Sequence, residues 1–228
     1  MRVPAANPFP DLAPEKWSII CDFDGTITPF DVTDAVLEAF AAPLWKEIEK
    51  QWDCGDISAR QCMERQIGLL DVAPEDLDAF LDGIPLTEGF REFVRFCRSR
   101  SLDIRVVSDG MDYAIRRVLA RHGLDSLPVL ANRLLRAGPS GYRLEFPHSA
   151  AGCPSGMCKC AVARTPGKRI LLIGDGASDC CLAREAAFVL SRRGLRLERH
   201  CRENRYPCLP YENFFDILHL FKAPGPPS

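Results

Sequence analysis

Three segments of the chain share one design: WSIICDFDG (17–25), DIRVVSDG (103–110) and RILLIGDG (169–176). Each is a short run of Ile, Val and Leu that breaks abruptly into a polar residue and glycine, as expected of strands buried on both faces of a parallel sheet. Between them, EGFREFVRFCRSRS (88–101), MDYAIRRVLARHG (111–123) and ASDCCLAREAA (177–187) repeat apolar side chains every three or four residues, the helical period. Alternation of strand and helix predicts the α/β class, with a Rossmann-like parallel sheet as core. In open sheets of that kind ligands bind beyond the carboxyl ends of the strands. All three polar terminations fall on that edge, so Asp22, Ser108 and Asp175 are expected to converge although they lie far apart in sequence.

Residues 31–87 follow another pattern. TDAVLEAFA, PLWKEIEKQW, DISARQCMERQIGLL and PEDLDAFLD read as four helices separated by Pro, Gly and Asp, with no strand among them. A helical insert between the first and second strands is a candidate cap over the functional edge. The expected division is therefore a core of residues 1–30 and 88–222, a cap of 31–87 and a disordered tail of 223–228. A second irregular region, about 124–160, holds the short strand candidates PVLANRL and GYRLEF and a cysteine-bearing loop.

Composition narrows the partners. The formal net charge is −2 with acids and bases mixed, which leaves no electrostatic footprint for nucleic acid and no polybasic membrane anchor. No apolar run approaches the roughly 18 residues a membrane helix needs. The N-terminal stretch lacks the apolar core of a secretion signal, so the expected location is the cytoplasm. Eleven cysteines, an odd number scattered through predicted strands and helices, read as reduced thiols rather than a disulfide framework. The expected partner is a small molecule; oligomeric state has no signature.

The chemistry starts at DFDG. Side chains alternate along an extended chain, so Asp22 and Asp24 project to one side and Cys21 and Phe23 to the other. Two carboxylates in one small space stay ionised only beside a positive group, because like charges raise one of the two pKa values. A hard divalent cation or a lysine would suffice; Mg²⁺ suits carboxylates, a main-chain carbonyl and a substrate oxygen, with Asp175 as a further carboxylate.

DFDGT, the strand-ending VVSDG, a lysine ahead of RILLIGDG, and GDGASD resemble, in order and across the whole chain, the four motifs of the haloacid dehalogenase (HAD) superfamily of phosphatases. The resemblance implies a HAD-like core and phosphomonoester hydrolysis through an aspartyl-phosphate. By that resemblance Asp22 is the nucleophile, Asp24 the general acid and then base, and Lys159 the cation tying the nucleophile to the phosphoryl oxygens. Ser108 and the main chain near Gly110 bind phosphate, and Asp22, Asp24, Asp175 and Asp179 form the Mg²⁺ site, Asp179 either as a ligand through water or as a support for Lys159. Lys168 and Arg169 come too close to the strand to match the family spacing.

An insert of this length directly after the first motif resembles the C1-type cap of the phosphoserine phosphatase-like branch (subfamily IB). Within it, GFREFVRF, PHSAAGC and LPYENFFDI are similar to bacterial phosphatases of methionine salvage, which act on 2-hydroxy-3-keto-5-methylthiopentenyl-1-phosphate. CPSGMCK and GDGASD are similar to phosphoethanolamine/phosphocholine phosphatases. Asp109 resembles the ammonium-recognising acid of the latter group; capping the helix that follows is its other reading. Asp31 and Asp34 at the start of the insert either add to such recognition or serve as ordinary helix N-terminal acids. Arg60 and Arg65 read as surface arginines, and Cys180 and Cys181 as packing residues. Cys153, Cys158 and Cys160, with His148 nearby, have a spacing that allows a structural zinc site; reactive thiols and inert cysteines are the alternatives. Two rival functions use the same fold: a phosphotransferase that passes the phosphoryl group to an alcohol, and a catalytically inactive binding or regulatory protein.

Overall fold

A computed structural model describes residues 13–222. The tail 223–228, expected to be disordered, lies outside these residues, as do residues 1–12. The strands are β1 (Trp17–Cys21), β2 (Asp103–Met111), β3 (Val129–Arg136), β4 (Tyr142–Glu145), β5 (Arg169–Gly174), β6 (Phe188–Arg192) and β7 (Cys208–Tyr211). They form one sheet in the order β4-β3-β2-β1-β5-β6-β7, parallel throughout except for the antiparallel β3–β4 pair. The predicted α/β class and parallel core are what is found.

The helices are α1 (Val32–Phe40), α2 (Trp45–Asp53), α3 (Ala59–Ile67), α4 (Pro74–Asp82), α5 (Phe90–Ser99), α6 (Asp112–Arg121), α7 (Lys159–Ala163), α8 (Cys180–Ala183), α9 (Arg196–Asn204) and α10 (Phe214–Lys222). Alternate strand residues feed two apolar layers. Ile19, Val106, Leu171 and Ile173 pack with Phe90, Phe93, Ile115 and Phe214 on one face. Ile20, Val107, Ile170 and Leu172 pack with Ala163, Leu182, Leu197 and Cys201 on the other. This period-two division explains why the strands read as continuous apolar runs: neither face meets water.

Two expectations change. The helix read over 177–187 is a 3-10 turn at Ala177–Asp179 followed by one short turn, α8, because the start is bent by main-chain bonds to Asp179 rather than wound as a regular helix. The strands read from sequence also fall short of the sheet: β6 and β7 follow RILLIGDG. Both are brief, and Pro210 in β7 suits the outermost position, where a missing N–H costs no ladder bond.

The four insert helices form where their signals stand. Asp31 caps α1 by accepting from the Asp34 N–H at 3.0 Å, Ser58 and Gln61 make a capping box on α3, and Pro74 opens α4. Their apolar faces (Val36, Leu37, Ile67, Leu77, Leu81) join the same apolar layer as β1 and β2. Polar ties add to this: Arg117 on α6 binds Asp78 and Asp82 on α4, each at 2.8 Å, and the Val72 N–H donates to the Ser140 carbonyl at 2.9 Å. At the other end the Arg60 N–H, at the start of α3, donates to the Pro154 carbonyl at 3.0 Å. The insert is thus tied to the rest of the chain at two places, one through α4 and the segment after α3, the other through the start of α3.

Gly89 links the insert to the core at a φ of +80°, and a methyl group there would come within 2.7 Å of the Phe215 main-chain nitrogen. Gly89→Ala is expected to lower the unfolding free energy from urea titration by at least about 1–2 kcal/mol, since left-handed strain and a backbone clash outweigh the roughly 0.5–1 kcal/mol gained from a stiffer unfolded chain.

Candidate active site

β1 stops at Cys21, and the Asp22 N–H still donates to the Ile173 carbonyl of β5 at 2.9 Å, so the first aspartate is pinned at the edge of the sheet. Alternation sends Phe23 into the apolar layer beside Cys21 and turns Asp22 to the opposite side. There it meets Lys159. The Lys159 Nζ lies 2.7 Å from Asp22 Oδ2 and 2.7 Å from Asp179 Oδ1, and its side chain is wholly buried. Asp179 Oδ2 accepts from the main-chain N–H of Asp175 at 3.1 Å and of Gly176 at 3.3 Å. Burial pulls the ammonium pKa down, but Asp179 and then Asp22 outweigh it, so Lys159 is held above its ordinary value and stays charged. The Asp22 carboxyl is raised by burial first and by the Asp179 charge second, against the pull of Lys159.

Asp24 projects beside it. Its Oδ1 accepts from the Val32 N–H at 2.8 Å, at the start of α1. A methyl group on Gly110 would come within 2.5 Å of its Oδ2, so only glycine lets β2 approach this carboxylate. Burial, then Asp31, push the Asp24 pKa well up, a condition suited to a group that gives a proton. β2 carries an irregularity between Val107 and Met111, and it is here that Ser108 and Gly110 turn toward Asp24. Ser108 Oγ accepts from the Gly110 N–H at 3.0 Å, which leaves its own hydrogen to donate.

Asp22, Asp175 and Asp179 form one potential cation group, their nearest oxygens within 4.8 Å of one another. Asp179 has both oxygens engaged by Lys159 and two amides, and Asp22 has Oδ2 on Lys159 and Oδ1 on the Phe23 N–H at 2.8 Å, so of the three carboxylates Asp175 is the least engaged by the protein. Thr26 Oγ1 donates to Asp175 Oδ1 at 3.0 Å. Gly25, at a φ of +66°, leaves room for the Asp175 carboxylate that a methyl group would strike at 2.5 Å. The all-oxygen, acid-crowded donor set fits a hard cation such as Mg²⁺.

These side chains line a cavity of about 410 Å³, within the usual range for small-ligand sites. Its floor is Asp22, Asp24, Ser108, Gly110 and Asp175 at the sheet edge; its roof is Glu49, Trp52, Met63 and Gln66 from α2 and α3. Asp31 and Asp34 stand between, with Asp34 raised to about 7 by burial, Asp31 and Glu49. Asp109 also lines it, but its Oδ1 accepts from Asn132 Nδ2 at 2.9 Å and from the Met157 N–H at 2.8 Å. It ties β3 and the cysteine-bearing loop to the floor and does not cap α6, whose first residue has no side-chain cap.

Among the described residues Cys153, Cys158, Cys160 and His148 form no metal-binding group. Cys158, in extended backbone just before α7, neighbours Cys153, whereas Cys160 within the helix bonds toward Cys181. His148 contributes its main-chain carbonyl to the Cys158 N–H at 3.0 Å, not its ring. Arg60 stacks on Phe146 at 4.8 Å, and Arg65 bonds Gln51 at 2.8 Å, both outside the cavity lining. Thr26, Asn132 and Arg196 are site residues the sequence reading passed over. Thr26 stood in plain view in DFDGT, while nothing local distinguishes Asn132 or Arg196.

The crowding has a measurable consequence in metal-free protein. Asp175 is raised from 3.8 to about 6, by burial first and Asp179 second, so its contribution to stability is present below pH 4 and lost as pH rises through 6. Without metal, Asp175→Asn is expected to be more stable than the parent above about pH 6, the two melting temperatures converging toward pH 4; Mg²⁺ raises the parent alone.

Comparison with known proteins agrees with this geometry. The family model described as Putative Phosphatase matches residues 18–210. The 2-hydroxy-3-keto-5-methylthiopentenyl-1-phosphate phosphatase of Geobacillus thermodenitrificans is 32% identical over 213 residues, 89% of this chain and 94% of the relative. The protein of that name from an Exiguobacterium species is 31% identical, over 90% of this chain and 97% of its own. Among solved structures, a HAD family hydrolase of Salmonella enterica superposes with a TM-score of 0.73 at 21% identity, covering 93% of this chain and 73% of that one. A phosphoserine phosphatase captured as a phospho-aspartyl intermediate analogue gives 0.68 at 22% identity, covering 91% and 99%. The chain belongs to the putative phosphatase family, and it is a phosphomonoester phosphatase on the HAD-like fold.

Proposed function

We propose that the chain is a Mg²⁺-dependent hydrolase of small phosphomonoesters that works through an aspartyl-phosphate on Asp22. The observation that carries this reading is the buried Lys159 held at 2.7 Å from Asp22 at the floor of the cavity. A carboxylate is a weak nucleophile, and a phosphoryl dianion repels it; the ammonium counters both charges without leaving its place. Asp22 attacks phosphorus as the ester P–O bond breaks, and Asp24 gives its proton to the departing oxygen. Asp24, now a base, takes a proton from water, which attacks phosphorus and releases inorganic phosphate and free Asp22. General acid–base help of this kind is worth about 10² to 10⁴. Ser108 and the amides near Gly110 donate to the phosphoryl oxygens. Asp22 and Asp175 would hold Mg²⁺, which would supply further positive charge to offset that of the phosphoryl group. Asp179 serves as the support of Lys159 rather than a ligand.

The cavity roof supports a finer reading of the leaving group. Glu49, Asp34 and the remaining oxygen of Asp109 give it an acidic wall, which favours a leaving group bearing an ammonium, as in phosphoethanolamine or phosphocholine. The relatives' named substrate, 2-hydroxy-3-keto-5-methylthiopentenyl-1-phosphate, would have Trp52, Ile57, Ala59, Cys62, Met63 and Pro154 to meet its apolar end. Residues 31–87 act as the cap in this scheme. Eleven cysteines, all free thiols, support work in a reducing compartment such as the cytoplasm.

Hydrolysis of para-nitrophenyl phosphate should disappear with EDTA and return with Mg²⁺. Asp22→Asn should cost about 10⁴-fold or more in kcat, as loss of a nucleophile does elsewhere; turnover surviving that change would refute the assignment. Gly110→Ala should keep the fold, judged by circular dichroism, but lower kcat about 10²-fold, the scale of a roughly 1 Å displacement of a reacting group. Comparing kcat/KM for phosphoethanolamine, phosphocholine, phosphoserine and the methylthio substrate tests the leaving group.

A further inference from the structure

Three arginines stand close together where the chain leaves β6, and they differ in what they hold. Arg192 Nη1 donates to the Gly25 carbonyl at 3.0 Å, and Arg193 Nε pairs with Glu212 at 3.2 Å. Arg196 makes no hydrogen bond or ion pair with the described residues, and it lines the cavity, where it is the one basic lining residue. Its neighbours there are Gly176, Ala177 and Ser178. The next residue fixes its height: the Leu197 N–H donates to the Asp175 carbonyl at 2.9 Å, so the first turn of α9 is pinned to the strand end that bears the metal-site carboxylate. Arg196 therefore stands at the phosphoryl end of the cavity, away from Trp52 and Met63. A cation in the first turn of a helix opposes the helix dipole, so helix stability gives no reason for it.

The electrostatic need is plain. A phosphomonoester brings about two negative charges to a cavity walled by Asp22, Asp24, Asp31, Asp34, Glu49 and Asp175. Lys159 is already engaged by two of the chain's own carboxylates. From this we infer that Arg196 is a substrate-binding residue, which draws the phosphoryl dianion past the acidic wall and holds one of its oxygens during turnover. The guanidinium fork suits a phosphoryl oxygen pair. Because the side chain is exposed, its effect is on capture and is screened by salt.

The inference rests on the reading of Asp22 as nucleophile, and the two fail separately. With para-nitrophenyl phosphate and Mg²⁺, Arg196→Ala should raise KM about tenfold, the equivalent of roughly 1.4 kcal/mol, and raise the Ki of inorganic phosphate by a similar factor, with kcat nearly unchanged. It should also flatten the fall of kcat/KM with added salt. Arg196→Lys should recover part of the loss, and Arg199→Ala, on the same helix outside the cavity lining, should behave as the parent. Melting temperature checks that each variant is folded. Parental KM and phosphate Ki in Arg196→Ala, or a loss confined to kcat, would overturn the role of Arg196. Asp22→Asn turning over would instead overturn the nucleophile assignment.

Discussion

The bridge from Asp22 through Lys159 to Asp179 is the constraint around which the rest is arranged. A fully buried ammonium is tolerated only when paired and hydrogen-bonded, and here two carboxylates at 2.7 Å provide that. Removing Lys159 would leave two buried carboxylates facing each other, and removing either aspartate would strip the ammonium of one of its two acceptors. The bridge joins the end of β1, the first residue of α7 and the turn after β5. Three separate segments must reach their places before any one of them is satisfied.

Glycines complete the arrangement by absence. Gly25, Gly110 and Gly174 each face a carboxylate, of Asp175, Asp24 and Asp179 respectively, at distances where a methyl group would collide. The acids can crowd together because the facing backbone gives way to them. The same argument explains why each apolar strand breaks into polar residue and glycine: the polar residue supplies the charge and the glycine the space for it.

This division of labour also accounts for what could be read in advance. The sheet, the insert and the acids at the strand ends were legible because each follows a local rule: an apolar run, a helical period, a break to DxDG or GDG. Asp179 as a support for Lys159 was one of two readings open from sequence, and the proposal of that role rests on its bonds to Lys159 and to the amides of Asp175 and Gly176, which no spacing announces. Asp109 is a tie to Asn132 and Met157, partners that neither spacing nor composition announces. The cysteine spacing that allowed a zinc site has no counterpart in a metal-binding group among the described residues, since spacing does not say which thiols meet. β6 and β7 escaped notice because strands of five and four residues carry too little pattern to stand out.

The central place of β1 bears on how the chain is made. Its two neighbours in the sheet are β2 and β5, whose first residues, Asp103 and Arg169, come long after Trp17–Cys21 in the chain. On a ribosome the WSIIC strand therefore emerges before both neighbours and waits, unpaired on one side, until β5 has been added. Contacts this distant in sequence slow folding and leave apolar strand edges open to wrong partners. The helical insert that follows β1 packs into the same apolar layer, so it can shelter that strand during the wait. A segment that lines the cavity can then also serve the birth of the protein.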